Sequence, residues 1–289
     1  MKPAPFEYAD PRSVDEALAT LARHGDDAKV LAGGQSLVPM LNFRLARPAV
    51  VVDVNRVPGL DDLADADGTL RAGALVRQRR LERWAASRSP LLAAAMAHIG
   101  HAAIRHRGTV AGSVAHADPA AELPALLVLL DGAIVARSTR GERTIAASAF
   151  FRGPLATDLA ADELVTETRW PLPAATDGWG FHEVARRHGD FALVGAAAVV
   201  AVRAGRLEQV RAALFGAGPT PARASALERA LTGQPPEVGA FRAAAEKAAA
   251  ALDAPADIHA TAGYRRAVAV TLLVRALTDA AGRAKDGAR

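Results

Sequence analysis

Apolar positions near the start of the chain follow two different periods. Val14, Ala17, Leu18 and Leu21 recur at three- and four-residue spacing, which gathers side chains on one face of a helix. Ser13 and Glu16 bracket its start as a capping box, each side chain covering a backbone amide the helix leaves open. Gly25 stops it. Lys29-Val30-Leu31-Ala32 then reads as a short buried strand and runs straight into Gly33-Gly34-Gln35-Ser36, a tight glycine turn. Val50 to Val54, entered from Pro48, is a second apolar strand. The opening order is helix, strand, glycine loop, strand.

Ser89-Pro90 starts another helix, with proline at the first helical position, and it runs through Met96 to Gly100. His101 to Ser113 is a polar, glycine-containing segment. Asp118-Pro119 reads as an N-cap and first-position pair that opens the apolar helix Ala120–Leu130. Strand-like pieces follow at Ala133–Arg137 and Leu164–Trp170. Pro171-Leu172-Pro173 and Thr176-Asp177-Gly178 mark a boundary between folding units. Beyond it, Phe181–Arg186, Phe191–Val202 and Leu207–Phe215 form three antiparallel strands, with a hairpin turn at Arg203-Ala204-Gly205. Helices are expected over Pro221–Leu231, Glu237–Leu252 and Ala262–Ala281. A small sheet followed by helices makes the class α+β rather than alternating α/β.

Composition narrows the function classes. The 289 residues, 51% of them hydrophobic and 23% charged, suit about two globular domains and exclude whole-chain disorder. There is no cysteine. That excludes a thiol nucleophile, cysteine-bound zinc and any iron–sulfur cluster held by this chain's own thiolates. The net charge of +4 comes from arginines scattered among acids, without a like-charged block. With 4% aromatic residues, base-stacking platforms are scarce and no nucleic-acid partner is expected. No run reaches the ~18 apolar residues of a membrane span, and Met1 to Asp10 lacks the apolar core of a signal peptide. A cytoplasmic location is expected.

The familiar mononucleotide and dinucleotide fingerprints are missing: no G-x-G-x-x-G follows a strand and no P-loop is present. Nor is there a G-x-S-x-G nucleophile elbow. Four of eight histidines, His98, His101, His106 and His116, fall close together. Their spacing fits no zinc template, and Arg105 and Arg107 repel a cation, so they read as loop histidines near an anion. Two glycine loops carry more. In Ala32-Gly33-Gly34-Gln35-Ser36 the paired glycines let phosphates approach backbone N–H groups, which form an anion nest. Arg107-Gly108-Thr109-Val110-Ala111-Gly112-Ser113 adds hydroxyls and a second glycine pair. Together they fit a diphosphate gripped from both sides. A branched side chain at Gly33 is expected to exclude the phosphates while sparing the core.

These residues resemble the FAD-binding medium subunit of molybdenum hydroxylases, the family of aerobic carbon monoxide dehydrogenase and xanthine dehydrogenase. Ala32 to Met40 with Arg44-Leu45-Ala46-Arg47-Pro48 carries the first signature. Ile99-Gly100-His101, Ile104-Arg105, Arg107-Gly108-Thr109 through Gly112, and Ala115 to Pro119 carry the second. Arg186-Arg187-His188-Gly189-Asp190-Phe191-Ala192 is the third. All three occur in family order, and the resemblance covers nearly the whole chain.

The resemblance implies a two-lobed FAD-binding domain of the vanillyl-alcohol-oxidase type over 1–172, with lobes of about 1–56 and 57–172. A small three-stranded sheet with a helical bundle follows over 176–289. It also implies noncovalent FAD as the chain's only cofactor and no metal site. A small subunit with 2Fe-2S clusters and a large molybdopterin subunit are the implied partners, in a dimer of heterotrimers. Electrons would pass from the molybdenum cofactor through those clusters to FAD and an external acceptor. By correspondence, Ala32, Gly33, Gly34, Gln35, Ser36 and Leu37, with Thr109, Ala111, Gly112 and Ser113, hold the pyrophosphate. Ile99 packs on the flavin, Glu122 hydrogen-bonds the cofactor, Val165 lies near the ring and Phe191 borders the isoalloxazine. No catalytic acid or base is implied.

The chain departs from the family pattern at several points. Ala111 stands where a second glycine is usual, Ser113 where asparagine is common, and Glu122 where aspartate is usual. His182-Glu183 replaces a lysine found in some relatives. A positive φ at Ala111 would cost about 1 kcal/mol or more. Two other readings stay open from the residues alone: a free-standing FAD oxidase or dehydrogenase, and a degenerate, non-enzymatic binding module.

Overall fold

The computed structural model describes residues 2–285. Met1 and 286–289, at the outer ends of the two expected domains, lie outside the described residues. The first lobe is a three-stranded parallel sheet with Val50–Asp53 between Glu7–Ala9 and Ala28–Leu31. Val50, Val51 and Val52 are all buried, so the central strand reads as a continuous apolar run. Helix Val14–His24 covers one face through Ala17, Leu18 and Leu21. Its cap is as expected, Glu16 N donating to Ser13 Oγ at 3.1 Å. The return bond reaches Arg12 N instead of Ser13 N.

The second lobe is a five-stranded antiparallel sheet. Its order is Leu63–Ala66, Thr69–Gly73, Leu164–Pro171, Ala133–Ser138, Gly141–Ala146. Leu164–Pro171 is central, and fully buried Trp170 donates its indole N–H to Thr168 Oγ1 at 2.9 Å. Five short helices connect and cover this sheet. Among them, Glu122–Leu129 is buried at every position, because it lies between this lobe and the C-terminal sheet.

The C-terminal sheet runs Gly178–Val184, Val194–Arg203, Arg206–Phe215, with the two-residue strand Ala222–Arg223 at its edge. Alternation along Val194–Arg203 explains its apolar run. Val194, Ala196, Ala198 and Val200 face helices Ser225–Leu231, Val238–Ala250 and Ala262–Arg283. Ala197 and Val199 face the first domain with Phe181 and Phe215. One sheet thus belongs to two cores. The hairpin turn falls at Ala204-Gly205, with φ of 50° and 70°.

Several local expectations differ. The helix expected over Ala120–Leu130 begins at Glu122 with Ala121 at the N-cap. Asp118 Oδ1 instead accepts from Ala120 N, closing a turn before the helix. His101 to Ser113 holds two short helices, Ala102–Arg107 and Val110–His116. The start of the expected helix Pro221–Leu231 is the edge strand, whose pairing with Ala213 and Leu214 outcompetes local helix propensity. Helix Gln78–Arg88 has no counterpart in the expectations.

Helix Ala262–Arg283 lies directly on strand Gly178–Val184. A Cβ at Gly180 would sit 2.1 Å from Ala276 O. Gly180→Ala should therefore destabilise the protein by about 1–3 kcal/mol, read as a lower thermal unfolding midpoint. An unchanged midpoint would contradict this helix–strand contact.

Candidate functional site

The first glycine loop leaves the end of strand Ala28–Leu31, an edge strand of its sheet. Gly34 takes φ of 75°, the left-handed conformation that glycine enters at no steric cost. Gly33 does not need it. Its constraint is contact: a Cβ there would lie 2.6 Å from Arg107 O, 2.7 Å from Gly108 Cα and 2.9 Å from Thr109 N. The two glycine loops, from different lobes, touch backbone to backbone. The expectation that a side chain at Gly33 would act only on a ligand is corrected by this contact, since it would first push the lobes apart.

Side chains from neighbouring segments lock the contact. Asn55 Nδ2 donates to Ala32 O at 2.8 Å, and Asn55 Oδ1 accepts from Arg77 Nη2 at 2.6 Å. Arg77 Nη1 donates to Arg107 O. Asp53 Oδ1 accepts from the Asn55 backbone and side chain, and Asp53 Oδ2 from the Tyr8 hydroxyl. The backbone adds Gln78 N to Gly108 O and Val110 N to Val76 O, both 2.9 Å.

Thr109 caps helix Val110–His116, its Oγ1 accepting from Gly112 N at 3.0 Å. Ala111 is helical and 3% exposed. Its φ is not positive, so the expected strain at this position does not arise. Gly112 is the tighter position, because a Cβ there would sit 2.5 Å from Thr109 Oγ1.

All fourteen residues singled out in the sequence line one cleft of about 630 Å³. It begins at Asp26 and Lys29, passes both glycine loops, and ends near Ile99, Glu122, Val165 and Phe191. The third motif closes that far end. Gly189, at φ of 87°, packs against Gly100 and His101, and Phe191 is 62% exposed. Arg105 steadies the facing turn by donating to Ile99 O and Gly100 O at 2.8 and 3.0 Å.

The arrangement suits an elongated, phosphate-bearing ligand. Among the described residues none accepts from the backbone N–H of Gly33, Gly34, Gln35 or Ser36. These donors lie where no Cβ of Gly33 or Gly34 intrudes, and such successive amides form an anion-binding nest. Gln35 braces the turn, its Nε2 donating to Gly33 O at 3.1 Å.

The expected help from loop histidines and arginines is mostly absent. Arg105 is held by Glu82 and the Ile99–Gly100 carbonyls, and Arg107 lines a separate cavity behind the first loop. His101 and His106 are exposed, whereas His116 lines the cleft. Burial pushes the His116 imidazole below its ordinary value, against the pull of Asp118. Among the described lining residues Lys29 is the single lysine or arginine, so the backbone amides are the main donors the cleft offers an anion.

Asn55 and Arg77 were not foreseen as part of the site. Each acts on a backbone carbonyl far away in sequence, which leaves no local motif. The other end of the cleft holds a carboxyl in unusual surroundings. Glu122 is 6% exposed. Burial first, then the negative charge of Glu183, raises its pKa to about 8. At neutral pH it is a protonated acid that can donate a hydrogen bond.

Residues 4–173 match a family described as the FAD binding domain in molybdopterin dehydrogenase. Residues 179–280 match the CO dehydrogenase flavoprotein C-terminal domain. Caffeine dehydrogenase subunit beta from Pseudomonas sp. (strain CBB1) is 43% identical over 98% of this chain and 97% of its own length. The carbon monoxide dehydrogenase medium chain of Hydrogenophaga pseudoflava is 36% identical over 97% and 98%. Among solved structures, carbon monoxide dehydrogenase from Hydrogenophaga pseudoflava superposes with a TM-score of 0.95 at 38% identity, covering 99% of this chain and 100% of that one. Quinoline 2-oxidoreductase from Pseudomonas putida 86 gives 0.92 at 37% identity, covering 98% and 99%.

The Glu122 environment fixes a sign for pH dependence. Its carboxyl ionises more readily in the unfolded chain than in the folded one, so stability falls as pH rises from about 4.5 to about 8 and stays reduced above. Glu122→Gln should remove that fall and stabilise the cofactor-free protein above pH 8 by up to about 5 kcal/mol. Thermal unfolding across this range checks it, and parallel pH profiles for the two proteins would contradict it.

Proposed function

We propose that this chain, which belongs to the family of FAD-binding medium subunits of molybdenum hydroxylases, holds FAD along the cleft between its first two lobes and passes electrons through it to an external acceptor. The observation that carries this reading is the convergence of three sequence-distant motifs on one cleft. Bound there, FAD can join one-electron carriers to two-electron acceptors, and the protein supplies binding, orientation and electrostatics.

The residues divide the work. Amides of Ala32 to Leu37 and of Thr109 to Ser113 grip the pyrophosphate. The Asp26–Lys29 end takes the adenosine, and Ile99, Val165 and Phe191 enclose the flavin. Glu122 hydrogen-bonds the cofactor as a neutral acid. We assign the cofactor domain to 1–172, with lobes of about 1–56 and 57–172, and the C-terminal flavoprotein domain to 176–289. FAD is held noncovalently: the chain has no cysteine, and His101 and His106 are exposed.

Relatives named as medium chains and complex subunits support a multi-subunit assembly. Its other members, in this reading, are a small subunit bearing 2Fe-2S clusters and a large molybdopterin subunit, arranged as a dimer of heterotrimers. The large subunit hydroxylates the substrate. Relatives named for caffeine, nicotine and carbon monoxide fit a flavin chain that does not choose the substrate. Among the described residues no helix is long and apolar enough to cross a membrane.

A visible spectrum of the purified chain tests the cofactor. A flavin spectrum is expected, and acid precipitation should leave the yellow chromophore in the supernatant. A colourless protein would overturn the reading, and colour in the pellet would overturn noncovalent attachment. Gly33→Ala should hold less than about a tenth of wild-type flavin and lose about 1–3 kcal/mol of stability. Native flavin content in that variant would contradict the loop assignment. The flavin of the isolated chain should resist reduction by purines, aldehydes, aromatic heterocycles and carbon monoxide in stopped-flow absorbance. Bleaching at a catalytic rate would make the chain a free-standing dehydrogenase.

A further inference from the structure

A line of proton-carrying side chains runs from the flavin end of the cleft to the surface. Glu122 opens on the cleft from the first turn of its helix. Glu183, whose negative charge acts on Glu122, projects from strand Gly178–Val184 with its side chain 2% exposed. Glu183 Oε1 lies 3.7 Å from His98 Nδ1, and Glu183 Oε2 has no hydrogen-bond partner among the described residues. His98 is 34% exposed at its side chain. Its ring rests on Phe181 at 5.3 Å and on His188 at 5.7 Å.

Two carboxyls in one buried seam need a reason. Packing alone would be better served by apolar groups of similar volume, and an unpartnered buried oxygen costs free energy. The cations nearby do not neutralise them. Arg223 bonds Asp131 and Glu228, near the far end of helix Glu122–Leu129. Arg211 pairs with Asp177. His182, on the same strand as Glu183, pairs with Asp279. Toward the cleft the facing groups are Asp118, an acid, and His116. The pair is left to hold a proton between its own members and His98.

We propose that Glu122, Glu183 and His98 form a proton path between solvent and the flavin end of the cleft. The proposal rests on the FAD reading above. Glu122 Oε gives up its proton when two electrons from an iron–sulfur carrier reach an oxidised isoalloxazine bound beside it. That one proton from Glu122 would offset one of the two negative charges that two-electron reduction of a bound flavin brings. His98 then returns a proton from solvent through Glu183, and Glu122 is restored. When an external acceptor takes the two electrons away, the proton retraces the path.

Stopped-flow reduction of the purified, flavin-loaded protein by reduced methyl viologen, a one-electron donor that releases no proton when oxidised, with a pH-indicator dye, tests the path. Flavin bleaching and proton uptake are followed in the same shot. In the wild type, uptake should keep pace with bleaching. In Glu122→Gln and in His98→Asn it should lag by tenfold or more, and Glu122→Asp should recover most of the rate. His98 lies outside the cleft lining, so His98→Asn keeps the test decisive where Glu122→Gln binds flavin poorly. Infrared difference spectra of oxidised and reduced protein supply a second readout. A protonated-carboxyl band should change on reduction in the wild type and vanish in Glu122→Gln. Uptake unchanged in flavin-loaded His98→Asn, or a band that persists without Glu122, overturns the proton path and leaves the FAD reading intact. Wild-type protein without flavin absorbance overturns the FAD reading itself.

Discussion

The backbone contact between Gly33 and the Arg107–Thr109 segment is the constraint on which the site depends. Two lobes with separate sheets meet there with no side chain between them. The closeness serves recognition as well as assembly. Amides can surround a phosphate from two sides only if both strands of backbone come within hydrogen-bond reach of one point. A side chain at Gly33 would set the backbones apart. Asn55 and Arg77 hold the approach by bonding Ala32 O and Arg107 O, one carbonyl on each loop. The Asn55–Arg77 bond joins the two loops directly.

The C-terminal domain extends the same logic to the other end of the cleft. Its sheet buries one face under its own helices and the other against the first domain, where Phe181 and Phe215 stack at 5.8 Å between ring centres. That fixed seam carries the loop with Gly189 and Phe191 to the cleft mouth. Arg265 steadies the loop from behind, donating to Leu193 O and Gly216 O and pairing with Asp257. That end of the cleft is therefore built by two domains, and its shape depends on their packing.

The sequence spoke clearly where a local rule decided the outcome. The cap at Ser13, the glycine loop after Leu31 and the apolar strand expected over Phe191–Val202 each have a nearby physical cause; the first two fall where the pattern put them, and the strand begins three residues later, at Val194. Other features were legible but passed over. Asp67-Gly68, with φ of 51° and 70°, is a strong hairpin signal between Leu63–Ala66 and Thr69–Gly73. Helix Gln78–Arg88 hides behind its polarity, since Leu81 and Ala85 are its only buried apolar residues. The rest was not local at all. Nothing near Asn55 announces that it reaches Ala32 O, and nothing near Glu183 announces the seam with Glu122. The motifs named the cleft's walls, while the residues that set its geometry came from contacts across the chain.

The electrostatics of the cleft follow from this division. Arginines that look suited to phosphates in the sequence lie elsewhere, Arg105 committed to Glu82 and backbone carbonyls and Arg107 on a separate cavity. The backbone amides of Gly33 to Ser36, unbonded among the described residues, line the cleft in their place, and they carry no net charge. A cleft with one lysine and no arginine among its described lining residues cannot comfortably bury free carboxylates as well. Glu163 meets this condition by pairing with Arg143. Glu122 has no such partner and meets it by keeping its proton. The same scarcity of fixed charge along the cleft makes a neutral acid the stable form of Glu122. A group poised in that way is also one whose protonation responds to a change of charge beside it.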